Sequence, residues 1–200
     1  MADTEGSSPD KREAILAEAI QVFAQEGFRG TDVQTIADRA GVGKGTVYRY
    51  FGNKEDLFYA TSLETTRRKE LAIVEAMEPA GRPIDKLRAA ARAIARFFEA
   101  NPLYIELLVQ ERAEFRGHVP EAHRDYFEHL IDKFGKIIQA SIDAGEIRPV
   151  DVRKTILTIS AMLHGIALDT CYRMCDCSLV EMSESAMEMF LRGIQTERNS

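Results

Sequence analysis

The sequence contains no tryptophan, no apolar run of membrane-spanning length, and no alternation of apolar and polar residues closed by turn pairs. The lack of a long apolar run excludes an integral membrane helix, and the lack of alternation argues against strands and hairpins. Internal repeats and low-complexity segments are also missing, so neither a solenoid nor a fibrous chain is indicated. The opening MADTEGSSPDK is polar and acidic where a secretory signal would be basic and then apolar. We read residues 1–8 as a short disordered lead and expect a cytoplasmic protein with no membrane partner. There are three cysteines, and in that compartment they should be reduced thiols.

Signatures of chemistry are equally sparse. Cys171, Cys175 and Cys177 have C-x3-C-x-C spacing, which is not the paired C-x2-C of a zinc site. His118, His123 and His129 scatter around a helix start. No metal and no cofactor are expected. The G-V-G-K-G segment lacks the full phosphate-loop form, and no strand precedes it. Glu106, Glu111 and Glu114 read as a solvated helix face. No nucleophile stands beside a base, so an enzyme is not expected.

What the chain does have is helical periodicity and a local reversal of charge. Its net charge is −6, and its hydrophobic content is an ordinary 45%, enough for one or two small domains with a core. Between Phe28 and Lys54, however, five basic residues (Arg29, Arg39, Lys44, Arg49, Lys54) face two acidic ones (Asp32, Asp38), a local balance of +3. An acidic body with a small basic head suits a protein that meets phosphate at one place only.

That head is the stretch TDVQTIADRAGVGKGTVYRYFGNK, residues 31–54. Thr31 is placed to cap a short helix, with Gln34 completing a capping box. Val33, Ile36, Ala37 and Ala40 form its apolar face. Gly41 suits a left-handed helix end, with Val42 folding back on Ala37. A second helix from Gly43 or Lys44 to Tyr50 turns Val47 and Phe51 inward and leaves Lys44, Gly45, Thr46, Tyr48, Arg49 and Tyr50 for other faces. Asn53, with Asp56, caps the next helix. Two short helices joined by a glycine turn make a helix-turn-helix, whose second helix enters the DNA major groove. A glycine inside such a short helix costs roughly 1 kcal/mol relative to alanine, a cost that close approach to another surface would offset. A preceding helix after Ser8 and Pro9 carries Ile15, Leu16, Ala19, Ile20 and Phe23. It should end at Gly27, with Phe28 returning to Phe23.

The run I-A-x-x-A-G-V-x-K-G-T-V-Y-x-Y-F-x-x-K-E-D-L within Phe28–Leu57 resembles the DNA-binding domain of the TetR family of bacterial transcriptional repressors. The likeness covers roughly the first third of the chain; the remainder matches in layout only. The resemblance implies that Lys44, Gly45, Thr46 and Tyr48 face base edges, with Gln34 reaching in from the helix before. It implies that Thr31, Arg49, Tyr50 and Lys54 hold phosphates. Position 43 is Gly where the family often has Ser. Asp32 stands where a phosphate would approach and is expected to point away from DNA.

From Lys54 a long helix should run to about Met77, half in the head and half beyond it. Pro83, Pro102, Pro120 and Pro149 are each expected in the first turn of a further helix, giving helices near 83–100, 102–116, 120–145 and 150–174, with a last one near 179–197. The expected fold is all-α with about nine helices: a helix-turn-helix DNA-binding domain (9–56) and a helical bundle for ligand binding and dimerisation (57–200). Leu87, Ile94, Leu107, Phe127, Phe134 and Ile138 are among its candidate core residues. Phe98, Tyr104, Tyr126, His129, His164 and Tyr172 are candidate cavity residues, since bundles seat ligands between helices behind apolar walls with a few polar groups. The last two helices are apolar on more than one side, which calls for a second cover. By resemblance this is a partner copy, with Ile159, Met162, Leu163, Ile166, Met182, Met189 and Phe190 at the interface. The expected function is a ligand-responsive repressor that binds a palindromic operator in double-stranded DNA as a homodimer, released by a small-molecule inducer. The alternatives are an all-helical protein-binding adaptor, or a thiol- or metal-sensing regulator of the same fold.

Overall fold

The computed structural model describes residues 8–114, 120–169 and 177–195. Nine helices lie among them: α1 (Ser8–Gly30), α2 (Val33–Arg39), α3 (Lys44–Phe51), α4 (Lys54–Met77), α5 (Pro83–Ala100), α6 (Leu103–Glu114), α7 (Glu121–Asp143), α8 (Val152–Asp169) and α9 (Leu179–Ile194). The only β pairing among the described residues is an isolated bridge between Ile147 and Gln195. The fold is all-α, with an N-terminal helix-turn-helix and a C-terminal helical domain. No described helix is long and apolar enough to cross a membrane.

The chain divides into two compact units. One holds residues 1–67 and 102–119, the other 68–101 and 120–200, so α4 contributes to both. In the first unit the buried apolar residues are Ile15, Leu16, Ala19, Ile20 and Phe23 of α1, Val33 and Ile36 of α2, Val47 and Phe51 of α3, and Leu57 and Phe58 of α4, with α1 packed on α2 and α2 on α3. Gly27 breaks α1 with φ 76° and ψ 158°, a conformation open to glycine. The break lets Phe28 return to Phe23, ring centroids 6.2 Å apart, with Phe58 edge-on to both. α6 packs on α1 within this unit and buries Tyr104, Ile105 and Leu107.

In the second unit one core joins Ile84, Leu87 and Ala91 of α5, Ile138 of α7, Ile159 and Leu163 of α8, and Met187, Leu191 and Ile194 of α9. A smaller cluster gathers Ile73 and Met77 of α4 with Ala93, Phe134 and Ile137. Phe127, expected in the core, is 40% exposed.

Of the four prolines expected to open α5 to α8, only Pro83 stands in a first turn; Pro120 is itself an N-cap, Pro102 precedes α6, and Pro149 lies before the cap of α8, Asp151. The first N–H groups of α5 and α9 donate to carboxylates far along the chain, Ile84 to Glu146 at 2.8 Å and Val180 to Glu99 at 3.2 Å. α9 also has a full capping box between Ser178 and Glu181.

Candidate nucleic-acid interface

α2 opens on Asp32, not Thr31. Asp32 has extended backbone angles, and its Oδ1 accepts from the Gln34 N–H at 2.9 Å. Thr31 is buried, and both its backbone N–H and its hydroxyl donate to the Gly27 carbonyl, at 3.1 and 2.7 Å. With both donors so committed, Thr31 has none left for a phosphate. Thr31 ties the end of α1, and the cap passes to its neighbour.

The turn forms as the sequence indicates. Gly41 has φ 66°; its N–H donates to Asp38 O at 3.2 Å, and that of Val42 to Ala37 O at 2.9 Å. These two bonds close the end of α2 and aim the chain into α3. Gly43 caps α3 with no side-chain bond, and Asn53 caps α4 by accepting from the Asp56 N–H at 2.8 Å.

α3 is two-faced. Val47 and Phe51 are buried, whereas Gly45, Tyr48 and Arg49 are exposed, and Lys44, Thr46 and Tyr50 are half-buried. A Cβ added at Gly45 would meet nothing within 4 Å. The protein's own packing therefore does not require glycine there; a surface approaching from outside would. Tyr48 is 38% exposed. Arg49 lies 5.6 Å over the Tyr50 ring. Lys54 sits 5.0 Å over Phe28, and its Nζ donates to the Arg29 carbonyl at 3.3 Å, closing the end of α1.

Asp32 does not point away from this surface. Its Oδ1 lies 2.9 Å from Lys44 Nζ. The Gln34 N–H and then the Lys44 ammonium hold its carboxyl below the ordinary carboxylate range, and the same bond raises Lys44. Gln34 is exposed, and its Nε2 donates to Asp38 Oδ1 at 2.7 Å. Sequence reasoning missed both pairs because each depends on how α2 presents its carboxylates.

It also missed the role of α6. Gln110 Nε2 donates to Phe23 O at 2.9 Å, Glu114 pairs with Arg29 at 2.8 Å, and Glu111 accepts from the Ser62 hydroxyl. Glu111 and Glu114 are thus fastenings to α4 and α1, not a solvated face.

In the second unit, His164 Nδ1 lies 2.7 Å from Ser160 O, a carbonyl that can only accept. Nδ1 therefore carries the proton, leaving Nε2 to accept from Lys69 Nζ at 3.0 Å. Lys69 also stands 5.5 Å over Phe98, whose ring centroid is 6.0 Å from that of His164. Of the expected cavity residues, Phe98 and His164 are thereby brought together. Tyr126 instead donates its hydroxyl to Glu70, which Lys133 also holds at 2.5 Å. Burial opposes ionisation of Glu70, but these two donors keep it below its ordinary range. His129 is exposed, Tyr104 is buried in the other unit, and Tyr172 lies outside the described residues. Cys177 is disulfide-bonded, against the expectation of reduced thiols; Cys171 and Cys175 lie outside the described residues.

The expected interface residues divide. Leu163 is 1% and Ile159 9% exposed, buried in their own core, so neither has surface left for a partner. Met162, Ile166, Met182 and Phe190 are half-buried, and Met189 is 68% exposed.

Comparison with known proteins agrees with this geometry. The family profile described as bacterial regulatory proteins, tetR family, matches residues 15–61, and the one described as tetracyclin repressor-like, C-terminal domain, matches residues 83–176. The uncharacterized HTH-type transcriptional regulator YhgD of Bacillus subtilis is 31% identical over 166 residues, covering 81% of this chain and 85% of that protein. The fatty acid metabolism regulator protein of Bacillus subtilis is 27% identical over 192 residues, covering 92% of this chain and 95% of that protein. The crystal structure of FadR from Bacillus subtilis in complex with stearoyl-CoA superposes with a TM-score of 0.77 at 23% identity, covering 92% of this chain and 99% of that one. The chain belongs to the TetR family of bacterial regulatory proteins and is a DNA-binding transcriptional regulator, not an enzyme.

Proposed function

We propose that the protein is a ligand-responsive repressor that binds a palindromic operator as a homodimer and is released by a small-molecule effector. The observation that carries the reading is the outward face of α3, where Lys44, Gly45, Thr46, Tyr48 and Arg49 stand clear of the buried Val47 and Phe51. Tyrosine hydroxyls and basic heads on a helix of this size fit base edges and phosphates. Gln34, Tyr50 and Lys54 flank that face. Two such heads would read half-sites about one helical turn apart, or a multiple of it.

Phe98, His164 and Lys69 are the residues we place at the effector site. The relative named for fatty acid metabolism and the stearoyl-CoA complex of the structural neighbour support an effector with an acyl chain and an anionic head. An effector that favours one head arrangement over another by ~1–3 kcal/mol suffices for regulation.

Mobility shift on the DNA upstream of the coding region tests the assignment. Lys44→Ala and Tyr48→Ala should each lose specific binding while light scattering still reports a dimer, and operator affinity should fall steeply with salt. Stearoyl-CoA should release the wild-type complex. Normal operator affinity in both variants would overturn the reading of α3.

A further inference from the structure

The two acidic residues between Phe28 and Lys54 are the two that hold proposed readers: Asp32 bonds Lys44 at 2.9 Å and Asp38 bonds Gln34 at 2.7 Å. We propose that Asp32 is a specificity-determining residue of the reading head, penalising the approach of the Lys44 ammonium to a phosphate more than its approach to a base edge. The inference rests on the DNA-reading role of α3 given above.

The geometry gives Asp32 little freedom to do otherwise. The Oδ1 that accepts from Lys44 also accepts from the Gln34 N–H, the capping bond of α2. Swinging the carboxylate away would uncap the helix. Asp32 and Lys44 side chains are 65% and 38% exposed, so a duplex meets the pair already formed.

Against a random duplex this pair is a handicap. Non-specific affinity comes from cations that neutralise phosphates and release counterions. Lys44 is already neutralised by Asp32, so at a phosphate it releases fewer counterions, and whether it leaves Asp32 or keeps it, a fixed carboxylate stands beside the phosphate. Against a guanine edge the handicap is smaller. The O6 and N7 acceptors are uncharged, and a lysine ammonium has three donors. Lys44 can keep Asp32 and bond a base together. A penalty that falls on the wrong partner more than the right one raises specificity even as it lowers total affinity.

Asp32→Asn separates the charge from the cap, because asparagine caps a helix as well as aspartate does. Asp32→Ser is a second capping variant should the first fold poorly, and a thermal melt checks both. The probes are the upstream duplex that wild type shifts and a mixed-sequence duplex of equal length. Expected is a gain on the order of three- to tenfold in mixed-sequence affinity, a salt slope steeper by about one, and a lower ratio of specific to non-specific binding. In a Lys44→Gln background the gain should shrink to a small residue. Mixed-sequence affinity and salt slope both unchanged by Asp32→Asn, in a protein that still shifts its upstream duplex, would make Asp32 a cap only and overturn this inference while α3 keeps its role. An undiminished gain in the Lys44→Gln background would overturn it too, as plain charge repulsion. Failure of wild type to bind either duplex would remove both the inference and the reading beneath it.

Discussion

At the scale of single residues, adjacent polar side chains that look interchangeable in the sequence do different work. Thr31 and Asp32 are both good helix caps by type. Their partners separate them: Thr31 donates twice to the Gly27 carbonyl, while the Asp32 carboxylate accepts from the Gln34 N–H. Thr31→Val should cost about 1 kcal/mol in a urea melt, since the carbonyl keeps the backbone donor and only the hydroxyl bond is lost. The salt slope of DNA binding should not change. A slope shallower by about one would instead return Thr31 to the phosphate contacts.

At the scale of the element, the helix-turn-helix is held by local chemistry, and its glycines separate conformation from contact. Gly41 has φ 66° and Gly45 is ordinary helix, and a Cβ at either would meet nothing within 4 Å. Gly41→Ala should therefore destabilise by about 1 kcal/mol or more, through backbone strain alone. Gly45→Ala should stabilise the free protein by up to about 1 kcal/mol through helix propensity, yet weaken operator binding. Melting curves and mobility shifts on the same two variants check this; an alanine at 45 that leaves operator binding intact would mean that no surface approaches closely there.

Most of this was legible in the sequence because a glycine at a helix end, an asparagine cap and an inward valine act within a few residues. The sequence places the starts of α5 and α9 at 83 and 179, where the structure has them, but not the partners that hold them there. Their first N–H groups bond Glu146 and Glu99, 62 and 81 residues away, and no local pattern encodes such a partner. The prolines place the starts of α5 to α8 to within three residues but say nothing of those partners, because proline marks where a helix is allowed to begin, not where its N–H groups find acceptors.

At the scale of the molecule, the apolar surface of α8 and α9 is shared between an inner core and an outer face. Leu163 and Leu191 lie in the core, while Leu157 and Met189 remain 45% and 68% exposed. If the outer face pairs two copies, Met189→Glu should give a monomer by light scattering with secondary structure retained. Leu163→Ala should lower stability by roughly 2–5 kcal/mol, the usual cost of emptying a core leucine. A dimer that survives Met189→Glu unchanged would place the interface elsewhere.

The sequence alone determined the helices, the turn between α2 and α3, and the face of α3 left free, since helical period, capping and glycine conformation are read over spans shorter than ten residues. Only the tertiary structure decided which leucines of α8 remain outside, which carboxylates fasten α6 to the head, and that Asp32 reaches Lys44 and not open solvent. Those outcomes depend on where helices distant in sequence come to lie, and a side chain's partner across such a gap is set by packing, not by its neighbours along the chain.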